Sequence, residues 1–178
     1  MNSSGSKPLL RTVRVDELWA RINDRVMSNI QIRVYTHDDI EAILSLDEEW
    51  EREGIAQVWV PLSLDEQLAL LDQFPAYHLI AEADGVAAGY INGSIRAGGK
   101  ESVIPEGERY LEIENIYVKM DYRHQHVGGQ LVDAISQAAE RNGIRRFLVS
   151  TTSREMDKML RFYGDHGFKT WYVQLVRQ

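Results

Sequence analysis

The chain has 178 residues, no cysteine, 44% hydrophobic and 26% charged residues, and a net charge of -7 from 20 Lys+Arg against 27 Asp+Glu. That size and balance fit one soluble globular domain and exclude a disulfide scaffold, a thiolate nucleophile and a cysteine-ligated metal. An acidic chain is also a poor match for a phosphate backbone or an anionic bilayer, so neither nucleic acid nor membrane is expected as a partner. No run of 18 apolar residues exists, and the polar, Ser/Gly-rich start lacks the apolar core of a signal peptide, so a cytoplasmic protein is expected.

Residues 30–178 are expected to form the main domain, after an extension over 1–29. In that extension Val15, Leu18, Trp19, Ile22 and Val26 recur at helical spacing. They predict a short amphipathic helix that either packs on the main domain or serves as a dimer or lid element. Residues 30–35 alternate apolar and polar, a half-buried strand. Thr36 caps a helix that runs to about Glu53, with Asp38 and Asp39 in the first turn, where the helix dipole favours anions. Ser63 with Glu66 forms a capping box for a second helix to about Gln73. Two β-rich runs, 77–83 and 86–95, meet at Asp84-Gly85, a strong hairpin signal. A Gly-rich polar loop over 98–109 leads to a long strand at 110–118. Helix 127–141 follows, with Val127, Leu131, Ala134, Ile135 and Ala138 as its apolar stripe and Asn142-Gly143 as its stop. A buried strand at 145–150, a helix at 155–166 and a final strand at 168–176 complete the chain. This order predicts an α/β (α+β) fold, one mixed sheet with helices on both faces.

The stretch 110–135 carries the most chemistry. A strand ends at Val118, a polar turn holds Arg123 and His124, and Gly128-Gly129 lie in the first turn of the next helix. Free N–H groups and a positive dipole end make such a helix start a site for an anion or a pyrophosphate. The same residues also fit an ordinary strand-turn-helix link with glycines for close packing. There is no Gly-Lys-Ser/Thr, so this is not a Walker loop.

The turn resembles the acetyl-CoA signature of the GNAT superfamily of N-acetyltransferases, Arg/Gln-x-x-Gly-x-Gly/Ala. Here it reads Arg123-His124-Gln125-His126-Val127-Gly128 after Ile116-Tyr117-Val118, with His126 in place of the first glycine. A second segment, Phe162-Tyr163-Gly164-Asp165-His166-Gly167-Phe168, resembles the family's closing Phe-Tyr-x-x-x-Gly-Phe, and Asp157 stands where the family usually has Asn. The resemblance implies a GNAT-like fold, a twisted mixed sheet of about six to seven strands that splays between its fourth and fifth. It implies acetyl-CoA as co-substrate, held by Ile116, Tyr117, Val118, Arg123, His124, Gln125, His126, Val127, Gly128, Gly129 and Asp157. It also implies backbone N–H groups near Tyr117-Val118 for the oxyanion, through a bulge in that strand.

Acyl transfer to an amine needs a base for the ammonium, stabilisation of the oxyanion and a proton donor for the thiolate. By similarity Glu114 is the base and Tyr163 the acid. Glu112 shares a strand face with Glu114, and either carboxylate could serve. No His/Asp/Glu group has metal-ligand spacing, so no metal is implied. Between Asp38 and Glu53 lie eight acids and one base, a net charge equal to that of the whole chain. That segment flanks the acceptor in the family. Glu48, Glu49 and Trp50, with Trp59, are therefore read either as a solvated helix face or as a wall for a cationic amine. The expectation is an acetyl-CoA-dependent N-acetyltransferase acting by direct transfer. Its acceptor is an aminoglycoside, a polyamine or a peptide amine, and a homodimer is possible. The alternative is a non-catalytic acyl-CoA-binding or regulatory module of the same fold.

Overall fold

The computed structural model describes residues 29–58 and 62–174. β1 (Ile30–Val34) forms one edge of the sheet, beside β2 (His78–Ala83). β2 joins β3 (Val86–Ala97) through Asp84 and Gly85, whose φ angles of 51° and 81° give the tight turn that matches strand twist. β4 (Arg109–Val118) runs antiparallel to β3, and β5 (Phe147–Val149) parallel to β4, in the order β1-β2-β3-β4-β5.

The helix starts follow the capping chemistry. The Thr36 N–H donates to Asp39 Oδ2 at 2.8 Å, opening a 3-10 turn (His37–Asp39) that leads into α1 (Ile40–Glu53). Ser63 and Glu66 exchange hydrogen bonds of 2.8 Å and 3.3 Å at the start of α2 (Leu64–Gln73). α3 (Val127–Arg141) and α4 (Met156–Asp165) follow later.

Two apolar layers flank the sheet. On one face Val127, Leu131 and Ile135 of α3 and Tyr163 of α4 meet Leu79, Ile91, Leu111 and Ile113. On the other, Ile43 and Leu46 of α1 and Leu71 of α2 meet Tyr35, Ile80, Tyr90 and Tyr117. Each large side chain so buried contributes roughly 1.5–3 kcal/mol. Asp47 breaks the apolar pattern of α1 and is only 7% exposed. The Tyr90 hydroxyl donates to one of its oxygens and Gln67 Nε2 to the other, the latter at 2.9 Å. The network ties α1, α2 and β3 together, and burial raises the Asp47 carboxyl above the usual carboxylate range.

The sheet has five strands among the described residues, fewer than the six to seven expected. β5 is three half-buried residues rather than a buried strand over 145–150. No strand forms over 168–174. The Phe168 ring packs on Tyr163 at 5.4 Å, but Trp171, Tyr172 and Val173 are 59%, 67% and 62% exposed. Their β propensity has only a three-residue strand to pair with, too short a ladder to order them. The helix over 14–28 and the last residues of that strand lie outside the described residues.

The β3–β4 pairing sets sharp constraints near the site, at Gly89 and at Gly93. A Cβ on Gly93 would lie 2.5 Å from the Glu112 carbonyl oxygen, a backbone atom that cannot swing away. Gly93→Ala is expected to cost about 2–3 kcal/mol, read as a lower urea midpoint with unchanged slope.

Candidate active site

β4 carries two faces and one irregularity. Leu111 and Ile113 point to the α3 side, while Glu112 and Glu114 point to the α1 side. Asn92 pairs with Asn115 but Gly93 pairs with Ile113, which leaves Glu114 unpaired as a β-bulge. Past the bulge the alternation resets. Ile116 and Val118 now join the α3-side core, and Tyr117 the α1-side core. β5 pairs only with Leu111, Glu112 and Ile113. From Glu114 onward the outer edge of β4 therefore has no strand beside it among the described residues, which leaves a gap, the β4–β5 opening. The bulge lies at Glu114, in the strand for which the resemblance implied one.

The far bank of that opening, 150–154, is pinned by the loop that follows α1. The Gln57 N–H donates to the Thr152 carbonyl and the Arg154 N–H to the Ile55 carbonyl, both at 2.8 Å. Ala56 bridges Ser153 between them. Trp59 lies outside the described residues.

Two carboxylates sit at the start of the opening. Ser94 Oγ donates to Glu114 Oε1 at 2.7 Å, and Arg96 Nη2 to the same oxygen at 2.8 Å. Arg96 Nε lies 2.5 Å from Glu112 Oε2. Burial, then the neighbouring Glu114 charge, raises the Glu112 pKa above the usual carboxylate range, and Arg96 offsets part of that.

The turn after β4 has the shape of an anion cradle. His124 and His126 both take the left-handed conformation, with φ of 62° and 61°. His126 is the residue just before α3, and its backbone explains why glycine is favoured there in the pattern it resembles. The Gln130 N–H is the first to bond within the helix, to the His126 carbonyl, so the N–H groups of Val127, Gly128 and Gly129 lack helical partners. Gln125 Nε2 donates to the Asp121 carbonyl at 2.9 Å and braces the turn. A Cβ on Gly128 would lie 3.4 Å from the Phe162 ring, and one on Gly129 3.2 Å from His166, so these glycines also let α4 pack closely on α3.

Arg123 turns inward. Its Nε donates to the Val118 carbonyl at 2.8 Å, and its Nη2 pairs with Glu53 Oε2 at 2.5 Å. Tyr117 donates to the other Glu53 oxygen at 2.8 Å, and Trp50 stacks on Tyr117 at 5.7 Å. Lys119 pairs with Glu49 at 3.0 Å. Half of the acidic stretch is thus taken up by internal partners: Asp39 by Arg33, Asp47 by Tyr90 and Gln67, Glu49 by Lys119, Glu53 by Arg123. Glu48 faces solvent.

Tyr163 projects from α4 into the α3-side core, between Phe162 and Phe168. Its hydroxyl has no hydrogen-bond partner among the described residues, and burial raises its pKa far above the usual tyrosine value. Asp157 is exposed in the first turn of α4. Sequence reasoning missed Ser94, Arg96, Glu53 and Lys119, whose partners lie on other elements and need the sheet register to be seen.

A model described as "Acetyltransferase (GNAT) family" matches residues 32–168. The chain belongs to the GNAT acetyltransferase family. No curated protein matches its sequence. Among solved structures it is similar to AAC(6')-Iy in complex with the bisubstrate analog CoA-S-monomethyl-acetylneamine, at 24% identity over 85% of this chain and 99% of that one, TM-score 0.64. It is also similar to meta-AAC0020, an aminoglycoside acetyltransferase from an uncultured soil metagenomic sample, at 16% identity over 85% and 98% of the two chains, TM-score 0.64. A ribosomal-protein-alanine N-acetyltransferase from Brucella melitensis biovar Abortus 2308 matches at 16% identity over 84% and 99%, TM-score 0.61. At these identities the structures speak for the fold alone.

As a GNAT N-acetyltransferase the protein uses acetyl-CoA to acetylate an amine acceptor. The residues present fit that co-substrate. The unpaired edge of β4 offers backbone groups to an amide-bearing chain, and the left-handed turn with three unpartnered N–H groups suits a pyrophosphate. Among the described residues no helix is long and apolar enough to cross a membrane.

Proposed function

We propose that this GNAT enzyme acetylates a cationic primary amine, on a small molecule or a peptide, by direct transfer at the mouth of the β4–β5 opening. The observation that carries this reading is the placement of Glu114. It occupies the bulge where β4 leaves β5, with Glu112 beside it on the face not covered by α3. Glu114 takes one proton from the ammonium, directly or through a water; the freed nitrogen bonds to the acetyl carbon as the carbon–sulfur bond breaks, and the nitrogen's second proton passes through water to the thiolate, leaving amide and CoA thiol. Backbone N–H groups on the open edge of β4 stabilise the oxyanion. Tyr163 donates to the leaving sulfur. With no cysteine in the chain, a cysteinyl acyl-enzyme has no place in the scheme.

The acidic stretch of α1 supports a narrower role than its charge count suggested. Glu49 and Glu53 neutralise cations of the cofactor turn, so the acceptor's charge is met chiefly by Glu112 and Glu114. The reading is tested by following free CoA thiol with acetyl-CoA and a panel of aliphatic amines, aminoglycosides and peptides with free N-termini. Thiol release above the no-amine rate with at least one acceptor is expected. Tight acetyl-CoA binding without release on any amine would select the non-catalytic alternative.

A further inference from the structure

We propose that Arg96 sets how many positive charges the acceptor carries, so that the site takes a single ammonium in preference to a polycation. This inference rests on the placement of the acceptor at Glu112 and Glu114. Arg96 stands on β3 opposite Tyr110 and reaches along the sheet face to both carboxylates, at 2.5 Å and 2.8 Å. It is the outermost member of the trio, its side chain 51% exposed against 22% and 29% for the two glutamates. The glutamates alone would present a charge of −2 to an entering amine. With Arg96 fixed between them the trio presents −1.

That remaining charge matches one ammonium. A second ammonium on the same acceptor meets the guanidinium rather than a free carboxylate. Of the α1 acids, Glu49 and Glu53 are held by Lys119 and Arg123, and Glu48 and Glu51 lie exposed, where solvent screens their charge. Arg96 is therefore a specificity residue built into the sheet, a resident counter-cation that lowers affinity for polyamines while leaving room for the reacting amine. A half-exposed pair is screened, yet one added unit charge within a few ångströms still changes binding measurably.

The test compares hexylamine with hexamethylenediamine, which share a chain length and differ in one ammonium, using the full chain and saturating acetyl-CoA. In Arg96→Gln the ratio of kcat/KM for the diamine over the monoamine is expected to rise about tenfold, through KM of the diamine, with KM for acetyl-CoA unchanged. Arg96→Lys, which restores the charge, is expected to keep the wild-type ratio. An unchanged or lowered ratio in active Arg96→Gln enzyme overturns the role of Arg96 and leaves the amine-acetyltransferase reading intact. Failure of the wild-type enzyme on this pair and on every amine of the panel overturns that reading itself, and Arg96's role with it.

Discussion

Glu114→Gln is expected to lower kcat/KM for the acceptor amine by about 100- to 1,000-fold, while acetyl-CoA affinity stays within about twofold. The amide keeps the size of the side chain and can still accept from Ser94 and Arg96, so the bulge and the Arg96–Glu112 ion pair survive. What disappears is a carboxylate able to take a proton from an ammonium. Glu112→Gln separates the two acids. If Glu112 serves mainly to strengthen the negative potential, its loss raises the acceptor KM with a smaller change in kcat. Burial together with the Glu114 charge holds the Glu112 proton more tightly than in a free side chain. As pH falls through that raised value Glu112 gains a proton and the negative potential at the site weakens, so the acceptor KM rises on the acid side, starting at a higher pH than an isolated glutamate would give. Steady-state rates from acid to neutral pH check this. Equal rates for Glu114→Gln and wild type would remove Glu114 from the chemistry.

Tyr163→Phe is expected to lower kcat by about 10- to 100-fold without loss of folding stability. The hydroxyl has no hydrogen-bond partner among the described residues, so its removal orphans no group in the core, and the ring contacts with Phe162 and Phe168 remain. Burial keeps the phenol protonated at neutral pH, ready to donate. A thiolate is a weaker base than a tyrosinate, so the donation is a hydrogen bond that strengthens as charge develops on sulfur, and solvent completes the protonation. That limits the effect relative to loss of the base. Urea unfolding alongside single-turnover rates distinguishes the two roles. A lower urea midpoint with an unchanged rate would make Tyr163 a packing residue only.

The parts of the fold set by local chemistry were legible in the chain. Asp84-Gly85 placed the hairpin to the residue, because few other pairs accept two positive φ angles in succession. Ser63 marked the start of α2 and Thr36 that of the 3-10 turn leading into α1, and the apolar stripe of α3 predicted its span, Val127–Arg141. The short β5 and the exposed Trp171-Tyr172-Val173 segment were not legible, since apolar alternation reports propensity but not whether a partner edge exists. The site divides along the same line. Glu112 and Glu114 were visible as neighbours on one strand. The bulge at Glu114 was not, because it depends on the β3–β4 register across the loop between Ala97 and Arg109. Nor did the sequence disclose that Glu53 holds Arg123 across 70 positions, or that Lys119 takes Glu49. The concentrated negative charge of α1 looked like a wall for a substrate, and two of its acids, Glu49 and Glu53, are instead counter-charges of the turn proposed to hold the co-substrate's phosphates.

A crystal structure of the protein with CoA bound tests the central claim most directly. The expected result is a pantetheine arm hydrogen-bonded along the open edge of β4 beyond Glu114, pyrophosphate on the N–H groups of Val127, Gly128 and Gly129, and sulfur between Glu114 on the α1 side and the Tyr163 hydroxyl on the α3 side, within hydrogen-bond reach of that hydroxyl. A CoA molecule whose sulfur lies away from both Glu114 and Tyr163, or whose arm runs outside the β4–β5 opening, would contradict it.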